Sequence, residues 1–392
     1  MHATRWIQSN RLRERTRPPG ADTAVMRLAF SALGSALALA LVAAVGVVPA
    51  SAELQLGIQD DALLTSQEPN AWPFAGGLGP KVVRFNVAWE QVAARRPVAP
   101  DDPADPAYDF RRADAMARQT AAIGARSLFT IVNAPRWANG GRAPRYVPAS
   151  ADDYGRFCGA VAWRYSGGYT PPGALHPLPA VKNFTVWNEP NRGQYLLPQG
   201  AGGVTAARAF AGLVRACSDA VHAVSPDALV AAGPIASRGA QGGASPIAFL
   251  QAYQDAGGPR PQALALNPYM NGLVPAYKPA EAPADGAITL RNLDQLEGWL
   301  RKAYGGTVPI WFTEFAWRTA PTPKLGTITP ARQGDLLRRT VDLVRTRYPY
   351  AKLLVWFLVR DQSPDSYWRS GLATFDWKQK PAYSIYKALA EP

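Results

Sequence analysis

Ser127-Leu128-Phe129-Thr130-Ile131-Val132 is a short run rich in β-branched and aromatic residues, closed by Asn133-Ala134-Pro135. Those boundaries and that composition read as a strand. Its near-continuous apolar character suits a strand of a parallel sheet, covered on both faces. Residues 112–125 before it and 152–165 after it carry apolar side chains at helical spacing, and the next short run follows at 184–187. The same alternation extends in both directions. Further strand-like runs lie at 54–58, 82–87, 229–232, 263–266, 310–313 and 353–358, and further helical patterns at 206–223, 293–303 and 331–347. Eight strand–helix units over residues 53–392 describe an α/β fold, a single-domain (β/α)8 TIM barrel. A doubly wound open sheet would place a Gly-rich phosphate turn after its first strand, and Gly57-Ile58-Gln59-Asp60-Asp61 lacks one. The Pro- and Gly-rich stretches 97–106, 167–179 and 277–286 fall between elements and read as loops of that one domain.

Composition sets limits on function. Of the 392 residues 47% are hydrophobic and 18% charged, which suits a globular protein and excludes disorder or a coiled coil. Three His and two Cys leave little material for a metal site, and none is expected. Residues 1–25 hold five arginines, and an Ala-, Leu- and Val-rich run from Leu28 to Val48 then ends at Pro49-Ala50-Ser51-Ala52. The small residues Ala50 and Ala52 match a signal-peptidase site, so residues 1–52 read as an N-terminal extension and signal peptide, with Met26 a possible start, and 53–392 as the mature domain. The product is expected to be secreted or extracytoplasmic, with membrane contact only if the apolar segment stays uncleaved. Loss of six Arg with Glu14 and Asp22 takes the formal charge from +13 to +9. That charge is spread without a Lys/Arg block, which argues against nucleic acid as a partner. In an oxidising compartment Cys158 and Cys217 can pair if the helices carrying them are neighbours, and otherwise stay as buried thiols.

Reactive groups of such a barrel stand at the C-terminal ends of its strands. The fourth run ends Val186-Trp187-Asn188-Glu189-Pro190-Asn191 and the seventh Trp311-Phe312-Thr313-Glu314-Phe315-Ala316-Trp317, so each brings one carboxylate to the rim. Two acids over one barrel mouth, amid Trp and Tyr, are equipment for cutting a glycosidic bond: one protonates the leaving oxygen and the other attacks the anomeric carbon. Trp187-Asn188-Glu189-Pro190 on strand four with Thr313-Glu314-Phe315 on strand seven resembles the clan A, or 4/7, retaining glycoside hydrolases, closest in look to families 39 and 5, over essentially the whole mature chain.

The resemblance implies that Glu189 is the acid/base and Glu314 the nucleophile. It implies that Asn188 binds the 2-hydroxyl of the sugar, that Arg84 stands beside the nucleophile, and that Tyr269 hydrogen-bonds it. Many clan members carry His two positions before that Tyr, where this chain has Asn267. On strand eight Trp356 or Phe357 matches the aromatic floor of the sugar site, and Trp356 is the choice made here. Asn133 and Trp137 fall where relatives line the cleft, and Trp317, just past strand seven, is a further substrate-binding candidate or else a core aromatic. Asp60 and Asp61 read as a solvated turn. A monomer acting on a carbohydrate substrate, without metal or organic cofactor, is the expectation. Two rivals are a catalytically silent carbohydrate-binding barrel and a Ser-His-Asp hydrolase. The latter is disfavoured because there is no Gly-x-Ser-x-Gly and only His176 and His222 in the mature chain.

Overall fold

The computed structural model describes residues 53–270, 285–320 and 327–391. The expected leader 1–52 and most of the loop 273–287 lie outside the described residues. Eight parallel strands close into a barrel: β1 (Gln55–Gln59), β2 (Val82–Ala88), β3 (Arg126–Val132), β4 (Asn183–Val186), β5 (Leu229–Ala236), β6 (Ala263–Asn267), β7 (Ile310–Phe315) and β8 (Ala351–Phe357). Neighbours pair in sequence order, and β8 closes the ring on β1 with Gln55 opposite Leu353. Each strand is followed by at least one helix. Helices that sequence reading missed follow β1 (Asp61–Leu64, Ala71–Gly77) and β5 (Pro246–Asp255), and Trp89–Val92 follows β2. The first and last of these four are a single turn each, too short to show a helical period.

Strand alternation decides what fills the barrel. Val82, Leu128, Ala263, Ala265, Trp311, Leu353 and Val355 form a buried cluster separate from the main core between strands and helices. Side chains two residues apart share a face. The inward rows therefore continue above this apolar plug into Arg84 and Asn86 on β2, Thr130 on β3, Asn267 on β6 and Thr313 on β7. The floor of the barrel is greasy and its mouth polar.

Two irregularities shape that mouth. Phe312 pairs with Leu354 and Phe315 with Trp356, so β7 spends three steps where β8 spends two. An extra residue of this kind re-aims side chains. It lets the consecutive residues Thr313 and Glu314 both serve the mouth. On β5, Gly233 has φ +96, a conformation open chiefly to glycine. A Cβ there would lie 2.7 Å from the Ala265 carbonyl oxygen. The turn it permits presents the Pro234 carbonyl oxygen to the Glu189 N–H at 2.7 Å.

The helices are locally well specified. Ser150 caps Ala151–Arg164 by accepting from the Asp152 and Asp153 N–H groups, and Thr329 caps Pro330–Arg347, which opens with proline. Ala151–Arg164 packs on Val204–Val224, and Cys158 and Cys217 are joined across that interface with Cα atoms 5.3 Å apart. The two helices are thus neighbours, and the pairing left open by the sequence is made. Among the described residues no helix is long and apolar enough to cross a membrane.

Candidate active site

Arg84 is the hub of the mouth. It is fully buried, and each nitrogen of its guanidinium donates to a named acceptor. Nε donates to Thr130 Oγ1 at 2.8 Å, Nη1 to Gln59 Oε1 at 2.6 Å and to Glu314 Oε1 at 2.5 Å, and Nη2 to Asn188 Oδ1 at 2.9 Å. A planar fork of donors suits such multiple contacts better than a lysine ammonium would. Tyr269 donates its hydroxyl to the other oxygen of Glu314 at 3.0 Å. Burial, with the charges of Glu314 and Glu189, pushes that hydroxyl well above its ordinary range, so it remains a donor at any working pH. Glu314 keeps 13% of its side chain exposed, and both its oxygens are engaged, one by Arg84 and the other by Tyr269.

Glu189 has the opposite surroundings. Its side chain is 5% exposed. Oε1 accepts from Asn267 Nδ2 at 3.0 Å and Oε2 from Arg192 Nη1 at 2.9 Å. Desolvation first, and then the charge of Glu314, raise its carboxyl above the ordinary range, against the opposing pull of Asn267 and Arg192. Two carboxyls close enough to feel each other, one of them pushed toward its protonated form by burial, are an arrangement suited to an acid working opposite a nucleophile. The backbone at this corner is strained: Trp187 and Glu189 have φ +63 and +44. Conformations of this kind cost of order 1–3 kcal/mol each in non-glycine residues and cluster at functional sites.

Asn267, which stands where many relatives carry His, is fully buried and accepts from Thr313 Oγ1 at 2.9 Å. That bond fixes the amide with its NH2 toward Glu189. Asn188 has its oxygen engaged by Arg84, leaving its amide donors for a ligand. It lines a cavity of 290 Å³ with Asp61, Asn86, Asn133 and Tyr195. Asn133 itself donates to Glu90 at 3.0 Å. Burial first, and then the charges of Glu189 and Glu314, raise the Tyr195 hydroxyl, which places it near both carboxyls. Sequence reading did not single out Tyr195, because it lies six residues past Glu189 in a loop without period.

Three aromatic assignments change. Trp356 is fully buried and donates to the Ser370 carbonyl oxygen at 3.0 Å. It stands on the outer face of β8, because Leu353 and Val355 occupy the inner one. Trp317 is 2% exposed and packs between Phe315 and Trp356. Neither can touch a sugar in the mouth. Phe357, on the inner face, contacts Tyr269 edge-on at 6.4 Å and Trp368 at 5.2 Å, and this group supplies the aromatic wall. Trp137 turns away from the cavity, donating to the Ala93 carbonyl oxygen and packing on Trp89. Asp60 is not a solvated turn either. It is buried, accepts from the N–H groups of Leu63, Val359 and Arg360, and burial pushes its carboxyl up to about 6. Asp61 is the one at the mouth, accepting from the backbone and side chain of Asn86.

No sequence-family profile and no curated protein sequence matches the chain. Solved structures do. A family 39 glycoside hydrolase from the gut symbiont Bacteroides cellulosilyticus superimposes with a TM-score of 0.62 at 19% identity, over 87% of this chain and 64% of that one. A glucosidase from Croceicoccus marinus gives 0.62 at 16% identity, over 87% and 67%. A monomeric beta-xylosidase from Caulobacter crescentus gives 0.56 at 16%, over 86% and 68%. The chain thus spans about two thirds of the length of these neighbours. At such identities the likeness establishes the fold: this is a (β/α)8 barrel of the kind those glycosidases are built on.

Proposed function

We propose that the chain is a retaining glycoside hydrolase acting on an oligo- or polysaccharide. The observation that carries this is the contrast between its two rim carboxyls: Glu314 is held between Arg84 and the Tyr269 hydroxyl, while Glu189 is desolvated beside it with its protonated form favoured. In the first step a Glu314 oxygen bonds to the anomeric carbon as the bond to the leaving oxygen breaks, and the Glu189 proton passes to that oxygen. In the second, Glu189 takes a proton from water, the water oxygen bonds to the anomeric carbon, and Glu314 leaves as carboxylate. Asn188 donates to the 2-hydroxyl, a contact that strengthens as positive charge develops on the ring. The route draws on no metal and no organic cofactor. The leader-like residues 1–52 support secretion, and the beta-xylosidase among the structural neighbours supports β-linked sugars as first substrates to try.

The test is digestion of a glycan panel, followed by trapping with 2-fluoro glycosides and peptide mapping. A label on Glu314 is expected, and a label on any other residue overturns the assignment. A second reading, a silent carbohydrate-binding barrel, draws on the engagement of both Glu189 oxygens by protein donors. It requires glycan binding with no release of reducing ends.

A further inference from the structure

Glu189 in this arrangement accepts hydrogen bonds on both oxygens. To act as an acid it must turn one oxygen free toward the leaving group. The Asn267 contact is not the one to yield, since that amide is fully buried and locked by Thr313. Arg192 differs. Its backbone is pinned: its N–H donates to the Glu189 carbonyl oxygen, it bridges Ala240, and the Gly193 N–H donates to the Ala240 carbonyl oxygen at 3.1 Å. Its side chain is 28% exposed and lies over the Tyr195 ring at 5.8 Å, and its Nε is buried without a hydrogen-bond partner. The head group is thus anchored to the acid through one nitrogen, on a stem that can swing, with a second donor unsatisfied in its present pose.

Resting on the reading of the site given above, we propose that Arg192 is a positioning residue that holds the Glu189 carboxyl seated between turnovers, and releases Oε2 when substrate enters, so that the proton Glu189 carries can pass to the leaving-group oxygen. The groups that face Glu189 set the electrostatics. Glu314 from β7 favours its protonated form, Arg192 opposes it, and the more distant Arg84 from β2 is neutralised by Glu314 itself. Tyr195 and Tyr269 stay neutral. Among the described residues Arg192 is therefore the cation paired directly with Glu189. It makes the residue a better base for the water step, at the cost of having to move for the acid step.

The experiment compares wild type with Arg192→Gln and Arg192→Lys. Glutamate labelled with 13C at the carboxyl is titrated by NMR, and the Glu189 signal is assigned by its loss in Glu189→Gln. The Glu189 midpoint is expected to rise by about one unit in Arg192→Gln and to return toward wild type in Arg192→Lys. With 2,4-dinitrophenyl β-glycosides, whose departure needs no acid, kcat should fall about tenfold below the shifted midpoint and recover above it, while kcat/KM changes little. General loss of structure would lower both at every pH. An unmoved midpoint in Arg192→Gln, or an equal shift in both variants, overturns the role of Arg192. Absence of turnover by wild type on every glycoside overturns the hydrolase reading, and leaves the titration to decide the ion pair on its own.

Discussion

Arg84 and Glu314, 230 residues apart in sequence, meet at 2.5 Å inside the barrel mouth, and the guanidinium that makes this contact also fixes Asn188 at 2.9 Å. One buried cation thus orients both Glu314, the proposed nucleophile, and Asn188, the group proposed to meet the sugar's 2-hydroxyl. Arg84→Met strips partners from Glu314, Asn188, Gln59 and Thr130 together. Removing one side of a buried pair costs about 3–5 kcal/mol. The variant is expected to lose thermal stability on that scale and at least 100-fold in kcat/KM, measured by calorimetry and aryl-glycoside assay. Wild-type rates in a folded Arg84→Met would remove Arg84 from the mechanism.

The environment of Glu189 gives a pH sign. Its carboxyl titrates above the ordinary range because burial and the charge of Glu314 disfavour ionisation. For substrates with poor leaving groups, kcat/KM should hold while Glu189 keeps its proton and fall as pH rises through that raised midpoint. Glu189→Ala should slow such substrates by about 10² to 10⁴, erase the alkaline limb, and spare dinitrophenyl glycosides in their first step. Glu314→Ala should abolish turnover of both. Equal slowing of both substrate classes by Glu189→Ala would count against the acid role.

Trp356 and Phe357 are adjacent on β8 yet belong to different compartments, which makes them a matched pair of probes. Trp356→Ala leaves a hole in the core and should cost about 3–5 kcal/mol of stability. Phe357→Ala removes a half-buried aromatic wall and should raise KM about threefold to tenfold, with a smaller change in melting temperature than Trp356→Ala. The reverse pattern would return Trp356 to the sugar site.

That pair also shows what the sequence makes legible. Eight short apolar runs alternating with helical periods are strong local signals, and the barrel follows from them. The carboxylates at the ends of the fourth and seventh strands follow from the barrel. Which of two neighbouring aromatics faces inward depends on strand phase, and phase was readable from Val82, Arg84 and Asn86, or from Leu353, Val355 and Phe357, once the inward row was counted upward from the apolar plug. Glu314 escapes that count, because the extra residue of β7 reverses the alternation after Phe312. Arg192 and Tyr195 lie beyond it in a loop, where position is set by the Ala240 bridge and no local period reports it. Asp60 and Asp61 are adjacent and similar in sequence. Only the fold separates the one that clamps the β8 exit from the one at the mouth.

The disulfide supplies the last expectation. Cys158 and Cys217 close a loop with a sequence separation of 59 between two helices already packed on each other. Chain-entropy arguments give about 4 kcal/mol for a loop of that size, through restriction of the unfolded chain. Both cysteines are fully buried on helices, and neither lies on the strand ends that carry Glu189 and Glu314. Cys158→Ser with Cys217→Ser should therefore lower the denaturation midpoint by an amount worth about 2–4 kcal/mol and leave kcat and KM at 25 °C near wild type. Dithiothreitol should reproduce the loss in wild type and add nothing in the double variant. A fall in kcat without a fall in stability would show that the helix pair is coupled to the mouth, and would place the cross-link in the working parts of the barrel.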